Sequence, residues 1–195
     1  MKNRNKILIV SLALFVSLGL SSLAEANLLV NPGFETGDFS GWTPYLFGSE
    51  YVLNTNPHTG QYQARIYQYG WISQRVNDVT PNVSYKLSSW VYMPQDGGYA
   101  AISITFYNAT GTTSRLHERV WERYPGNQQY DMLESDWLIA PDFTAYAEVR
   151  CSVNTAPNYI DFDDVSLTVI PEPSSLVLLL SGLTGLFGLS FKKRK

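Results

Sequence analysis

Between residues 61 and 170 most of the chain is made of β-branched or aromatic-rich runs bounded by turn clusters, with no internal repeat. The runs are "YQARIYQYGWISQRV", "SYKLSSWVYM", "AAISITFYN", "YAEVRCSV" and "FDDVSLTVI", each with local alternation of apolar and polar residues. Turn signals separate them: Asn56-Pro57, Thr80-Pro81-Asn82, Asp96-Gly97-Gly98, Asn108-Ala109-Thr110-Gly111 and Ala156-Pro157-Asn158. Strands at this spacing, without helical stretches between them, predict an all-β fold, an antiparallel β-sandwich. The segment 112–137 is least legible; its "SRLHERVWERY" suits either a short helix or a charged edge strand.

Both ends lie outside this pattern. Lys2, Arg4 and Lys6 precede an apolar stretch over 7–20, and Ala24-Glu25-Ala26 forms an A-x-A site. Signal peptidase is expected to cut after Ala26. An uncleaved anchor fits less well, because the apolar core is short. At the other end, 174–191 is an uncharged run about long enough to span a bilayer as a helix. Gly182, Gly185 and Gly188 give it one smooth face, and Lys192, Lys193, Arg194 and Lys195 hold its end on the cytoplasmic side. Pro171 and Pro173 bracket Glu172 and stop the helix from extending backwards. Hydropathy alone reads this as an ordinary anchor.

Pro171-Glu172-Pro173, Ser174-Ser175, the apolar span and the basic end together resemble the PEP-CTERM sorting signal of Gram-negative bacteria. That resemblance implies recognition by a membrane protease, exosortase, and processing of the tail. The protein would then sit in the inner membrane only transiently, before release to the cell surface or extracellular matrix. The chain divides into a signal peptide (1–26), one domain (27–170) and a sorting signal (171–195).

The domain is acidic. It carries 7 Lys and Arg against 15 Asp and Glu, a net charge of −8. Such a balance repels phosphate backbones and argues against a nucleic-acid partner; it suits cations and neutral or weakly charged ligands. Cys151 is the single cysteine, so no intramolecular disulfide forms despite the export signals.

"NLLVNPGFETGDFSGWT" resembles the opening of jelly-roll carbohydrate-binding modules of the galactose-binding-like type. The likeness continues through Thr59-Gly60-Gln61-Tyr62-Gln63-Ala64, Gln74, Thr80-Pro81 with Tyr85, Ser89-Trp90-Val91 and "YIDFDDVSLTV". It implies a structural calcium where the first strand, the last strand and the Thr59-Gly60 loop meet. Glu35 or the Gly33 carbonyl, the Gly60 carbonyl, and Asp163 or Asp164 would supply oxygens toward the about six to eight that calcium takes. Alternation sets Asp163 on the same side as Val165, Leu167 and Val169, an inward carboxylate that calls for a cation. Otherwise Asp161, Asp163 and Asp164 form a solvated acidic edge, with Glu35 capping a turn.

The resemblance also implies a polysaccharide or exopolysaccharide partner, bound by aromatic rings stacking on sugar faces. All 5 tryptophans and 13 tyrosines of the chain lie in the domain, so most must be core. Trp42 and Trp90, at core landmarks, are expected to pack inside. Tyr45 matches a position that lines the cleft of related modules. Tyr67, Tyr69 and Trp71 fall at period two on one predicted strand, followed by Gln74 and Arg75, and form either a platform or an inner aromatic ladder. Trp121 and Tyr124 are further candidates.

Catalytic patterns are absent. His58 and His117 are the only histidines and share no metal-ligand spacing; there is no G-x-S-x-G elbow, P-loop or dinucleotide fingerprint. Glu118 and Glu122 would be the carboxylates to test for glycoside hydrolysis, although such acids most often make a solvated face. The reading is a non-catalytic, exported binding module. The alternative is a matrix or biofilm component without a specific sugar site.

Overall fold

The computed structural model describes residues 26–45, 50–95, 98–111, 113–123, 128–154 and 159–169, with 113–123 described as backbone. They belong to one compact unit, Ala26–Ile170. The signal segment with Ala24, the sorting motif Pro171, Glu172 and Pro173, the tail after it, and Tyr124 lie outside the described residues. Among the described residues no helix is long and apolar enough to cross a membrane.

Among the described residues, eleven strands make two antiparallel sheets. In chain order they are β1 (Thr43–Pro44), β2 (Glu50–Leu53), β3 (Gln63–Tyr67), β4 (Trp71–Val76), β5 (Ser84–Tyr92), β6 (Tyr99–Tyr107), β7 (Thr113–Arg123), β8 (Tyr130–Glu134), β9 (Leu138–Ile139), β10 (Tyr146–Val153) and β11 (Tyr159–Val169). The first sheet runs β1-β4-β10-β6-β7 and the second β2-β3-β11-β5-β8, with β9 also on β5. Of the ambiguous "SRLHERVWERY", residues 114–123 lie in the edge strand of the first sheet, not in a helix.

The inner faces close over one apolar core. Ile72 and Val76 of β4, Ile102, Ile104 and Phe106 of β6, and Val149 and Cys151 of β10 meet Ile66, Leu87, Val91, Ile160 and Phe162 of the second sheet. Period-two patterning makes this possible, since a strand that alternates apolar and polar residues presents one face to each environment.

Two departures from simple alternation shape the surface. The run "YQARIYQYGWISQRV" is not one strand. Gln68 and Tyr69 take positive φ (24° and 58°), and Gly70 N–H bonds back to the Tyr67 carbonyl at 3.1 Å. The chain therefore turns, leaving β3 in the second sheet and β4 in the first. In β11 the register shifts between Asp163 and Ser166, with Asp164 at φ 44°. This β-bulge flips the parity, so core positions pass from Ile160 and Phe162 to Val165 and Leu167. Asp163 consequently pairs with Trp90 on the outward side, although it is fully buried, and does not share the face of Val165 as alternation predicts.

Candidate functional site

The outer face of the first sheet is built in rows. One row runs Trp71–Ser152–Ala101–Trp121, the next Ser73–Arg150–Ser103–Arg119, and a third Arg75–Glu148–Thr105–His117. Ala101, Ser103 and Thr105 face away from the core yet are buried. These small residues sit at mid-sheet, covered by their longer neighbours. At one end, Tyr69, Trp71, Arg150, Ser152 and Asn154 line a pocket.

Arginine and aromatic groups are interleaved along this face. Tyr45, half exposed, stacks on Trp71 with ring centroids 3.2 Å apart and 16° between planes. The Tyr45 N–H donates to the Trp71 carbonyl at 2.9 Å, which fixes the pair. The Arg150 guanidinium lies 4.8 Å from the Trp71 ring and donates through Nη2 to Glu148 Oε1 at 2.7 Å. Arg75 covers the Tyr146 ring at 3.7 Å, and Tyr146 stacks on Tyr107 at 4.9 Å. Such rings offer flat apolar faces beside charged donors, the combination that a polyhydroxylated ring with apolar C–H faces requires.

The expected aromatic line does not form. Tyr67 ends β3 on the outer face of the other sheet, where it packs near Tyr51 and Tyr159. Tyr69 sits in the turn, exposed, and Trp71 opens β4; these two, with Tyr45, share the pocket end. The cause is the turn at Gln68–Gly70. Gln74 is not a ligand-facing residue. It points inward, is buried, and clamps Val30 through Oε1 (2.7 Å from Val30 N) and Nε2 (2.9 Å to Val30 O). Arg75 faces outward as anticipated. Trp121 takes a register position opposite Ala101 on the outer side of the sheet. Trp42 is core, but Trp90 lies on the outer face of the second sheet, stacked on His58 at 4.1 Å.

Tyr146, Glu148, Arg150 and Ser103 were not anticipated as site residues. The signal was present in "YAEVRCSV", whose polar positions at period two mark the face opposite the core.

The acidic corner gathers the predicted calcium residues. A Cβ placed on Gly33 would lie 3.3 Å from Asp164 Oδ1 and 3.6 Å from Asp163 Oδ1, so the missing side chain leaves space bordered by carboxylate oxygens. Glu35 lies against Gly60 (φ 65°) and accepts from Gln61 N at 3.0 Å and Tyr62 N at 3.1 Å. Asp163 Oδ2 accepts from His58 N at 2.8 Å and Thr59 N at 3.3 Å, while Asp164 Oδ2 meets His58 Nδ1 at 2.7 Å. Burial, reinforced by the charge of Asp164, pushes the Asp163 carboxyl up to about 6. Among the described residues no three His, Cys, Asp or Glu side chains form a metal cluster by themselves. Backbone carbonyls would have to complete a calcium shell. The donors are all hard oxygens and the Asp163 and Asp164 carboxylates adjoin each other, so the residues fit such an ion.

The second sheet carries a different outer face. Tyr51, Arg65, Asp161, Tyr92 and Tyr130 align in one row across five strands. Arg65 grips the fully buried Asp161 through Nε (2.7 Å) and Nη2 (2.8 Å), beneath the Tyr159 ring at 3.6 Å. Its rings meet at 90°, 54° and 44°, so they cover the ion pair rather than form a flat platform.

Known proteins show the same architecture. The model of the family described as "Carbohydrate binding domain" matches residues 26–155, and that of the "PEP-CTERM protein-sorting motif" matches residues 169–195. The structure of TmCBM61 in complex with β-1,4-galactotriose is similar at TM-score 0.62 and 23% identity, covering 74% of this chain and 99% of that one. The CBM22-1 xylan-binding domain from Paenibacillus barcinonensis Xyn10C is similar at TM-score 0.61 and 15% identity, covering 78% and 99%. The enzymatically active domain of bacteriophage CBA120 tailspike protein 4 is similar at TM-score 0.61 and 16% identity, covering 74% of this chain but 21% of that one. At these identities the likeness shows the fold alone. No curated protein matches the chain.

Proposed function

Because the chain belongs to the carbohydrate-binding domain family and carries a PEP-CTERM sorting motif, we propose that it is an exported, non-catalytic protein that binds polysaccharide across the outer face of its first sheet. The observation that carries this reading is the Tyr45–Trp71 stack with Arg150 over the Trp71 ring, at a pocket also lined by Tyr69, Ser152 and Asn154. A flat ring pair next to a charged donor engages a sugar by stacking and hydrogen bonding together. Similar modules are described with a galactotriose and as xylan-binding, which supports a chain of sugars as the ligand class.

Exosortase would process the tail and deliver the domain to the cell surface or matrix, as the sorting motif supports. A calcium ion held by Glu35, Asp163 and Asp164 with the Gly33 and Gly60 carbonyls would neutralise the crowded corner and tie the first and last strands together. Its role there is structural.

The test is titration of the full chain in neutral detergent against a polysaccharide panel. The wild type is expected to bind saturably and Trp71→Ala to lose that binding with little change in melting temperature. Absence of binding to every member of the panel would leave the matrix-component reading in its place.

A further inference from the structure

The charge of the domain is unevenly distributed. By register, Arg75, Arg150, Arg119 and Arg123 occupy positions on the outer side of the first sheet. These are four of the domain's 7 Lys and Arg, while Glu148 is the one acid among its 15 to hold an outward position in the paired rows of β4, β10, β6 and β7. A face with this balance is basic although the domain as a whole is acidic. Adjacent strands lie about 4.8 Å apart, so the register positions of Arg150 and Arg119, with Ser103 between them, are roughly 10 Å apart across the sheet. The acids of β11 lie on the far sheet, about 10 Å behind the first sheet. At physiological salt charges are screened over about 8 Å, so a ligand on this face meets the local charges more than the net charge.

We infer that the bound polysaccharide is anionic, a chain carrying carboxylate groups as a polyuronate does. The inference rests on the sugar-binding reading above and narrows its ligand. Guanidinium groups match carboxylates in geometry as well as in charge, with two parallel N–H donors for two oxygens. Arg150 holds its guanidinium over the Trp71 ring, 4.8 Å from its centroid, where a sugar bound at the pocket would place a ring substituent within reach. Arg75 is exposed and braced on Tyr146, so it needs no rearrangement to meet a second acidic unit along the chain. Glu148 works against this selectivity. It tempers Arg150 through their 2.7 Å contact, and its removal should therefore favour the anionic ligand.

The experiment is calorimetric titration of the full chain in neutral detergent with oligogalacturonate and with a neutral galacto-oligomer of equal length. Expected is a preference for the uronate of about tenfold at low salt, the worth of one charge-assisted hydrogen bond, shrinking as salt rises. Arg150→Gln and Arg75→Gln should each lower the uronate-to-neutral ratio, and Glu148→Gln should raise it. Arg75 is solvent-exposed, so its variant reports on the ligand even if Arg150→Gln disturbs the fold. Equal or tighter binding of the neutral oligomer overturns the inference while leaving the sugar-binding reading intact. No binding of either oligomer overturns both. A DNA duplex that binds as tightly as the uronate shows that the face reads charge alone, and overturns the polyuronate assignment.

Discussion

Arg65 and Asp161 form a two-pronged ion pair, Nε to Oδ1 at 2.7 Å and Nη2 to Oδ2 at 2.8 Å, with the carboxylate fully buried on a sheet face that points away from the core. Tyr159 and its neighbours roof the pair, so the face has a small polar interior of its own. In the second sheet the rings gather over an ion pair, whereas in the first Tyr69 and Trp71 line a pocket.

Arg65→Met should therefore be costly. Removing one partner leaves Asp161 as a buried charge without its counter-ion, a loss of about 3 to 5 kcal/mol. Burial already raises the Asp161 pKa, and Arg65 opposes that rise. In the variant the folded-state pKa climbs further above its unfolded value, so stability should increase as pH falls toward the unfolded carboxylate range. Denaturant melts of both proteins across pH check the magnitude and the sign.

Gly60→Ala should open the acidic corner. Gly60 has φ 65°, and a Cβ there would collide with the Glu35 carboxylate. The backbone penalty alone is on the order of 1 kcal/mol, and the displaced Glu35 would lose its bonds to Gln61 and Tyr62. A lowered melting temperature with unchanged β-sheet circular dichroism is the expected outcome.

If calcium occupies that corner, chelator should lower the melting temperature by mass action. The double variant Asp163→Ala, Asp164→Ala should be insensitive to chelator, having lost the strongest ligands. A wild-type melting curve indifferent to both chelator and added calcium would remove the ion from the account.

Cys151 should be inert in the native protein. It is fully buried in the core, and burial pushes its thiol well above the ordinary range. Iodoacetamide should modify it only after denaturation; labelling of the folded chain would mean that β10 opens.

The sandwich was legible because its strands alternate. "SYKLSSWVYM", "AAISITFYN" and "YAEVRCSV" each became one strand, β5, β6 and β10. Tyr67, Tyr69 and Trp71 do not share one strand because Gln68 and Tyr69 adopt positive φ without being glycine or asparagine, so Gly70 was the single local sign of the turn that divides β3 from β4. Asp163 was misplaced for a related reason. A bulge at Asp164 shifts parity by one residue, and period-two counting has no way to see an inserted position. The arginines of the first sheet's outer face were hidden more deeply, since only the register among β4, β10, β6 and β7 gathers residues that lie far apart in the chain.

The most direct test of the central claim is side-chain footprinting of the full chain with and without a bound polysaccharide. The account predicts that ligand protects Tyr45, Tyr69 and Trp71 and the outward positions of β10, Tyr146 to Ser152, while Tyr51, Tyr92, Tyr130 and Tyr159 keep their reactivity. Protection of that second set with Trp71 and Tyr45 unchanged would contradict it and move the binding face to the other sheet.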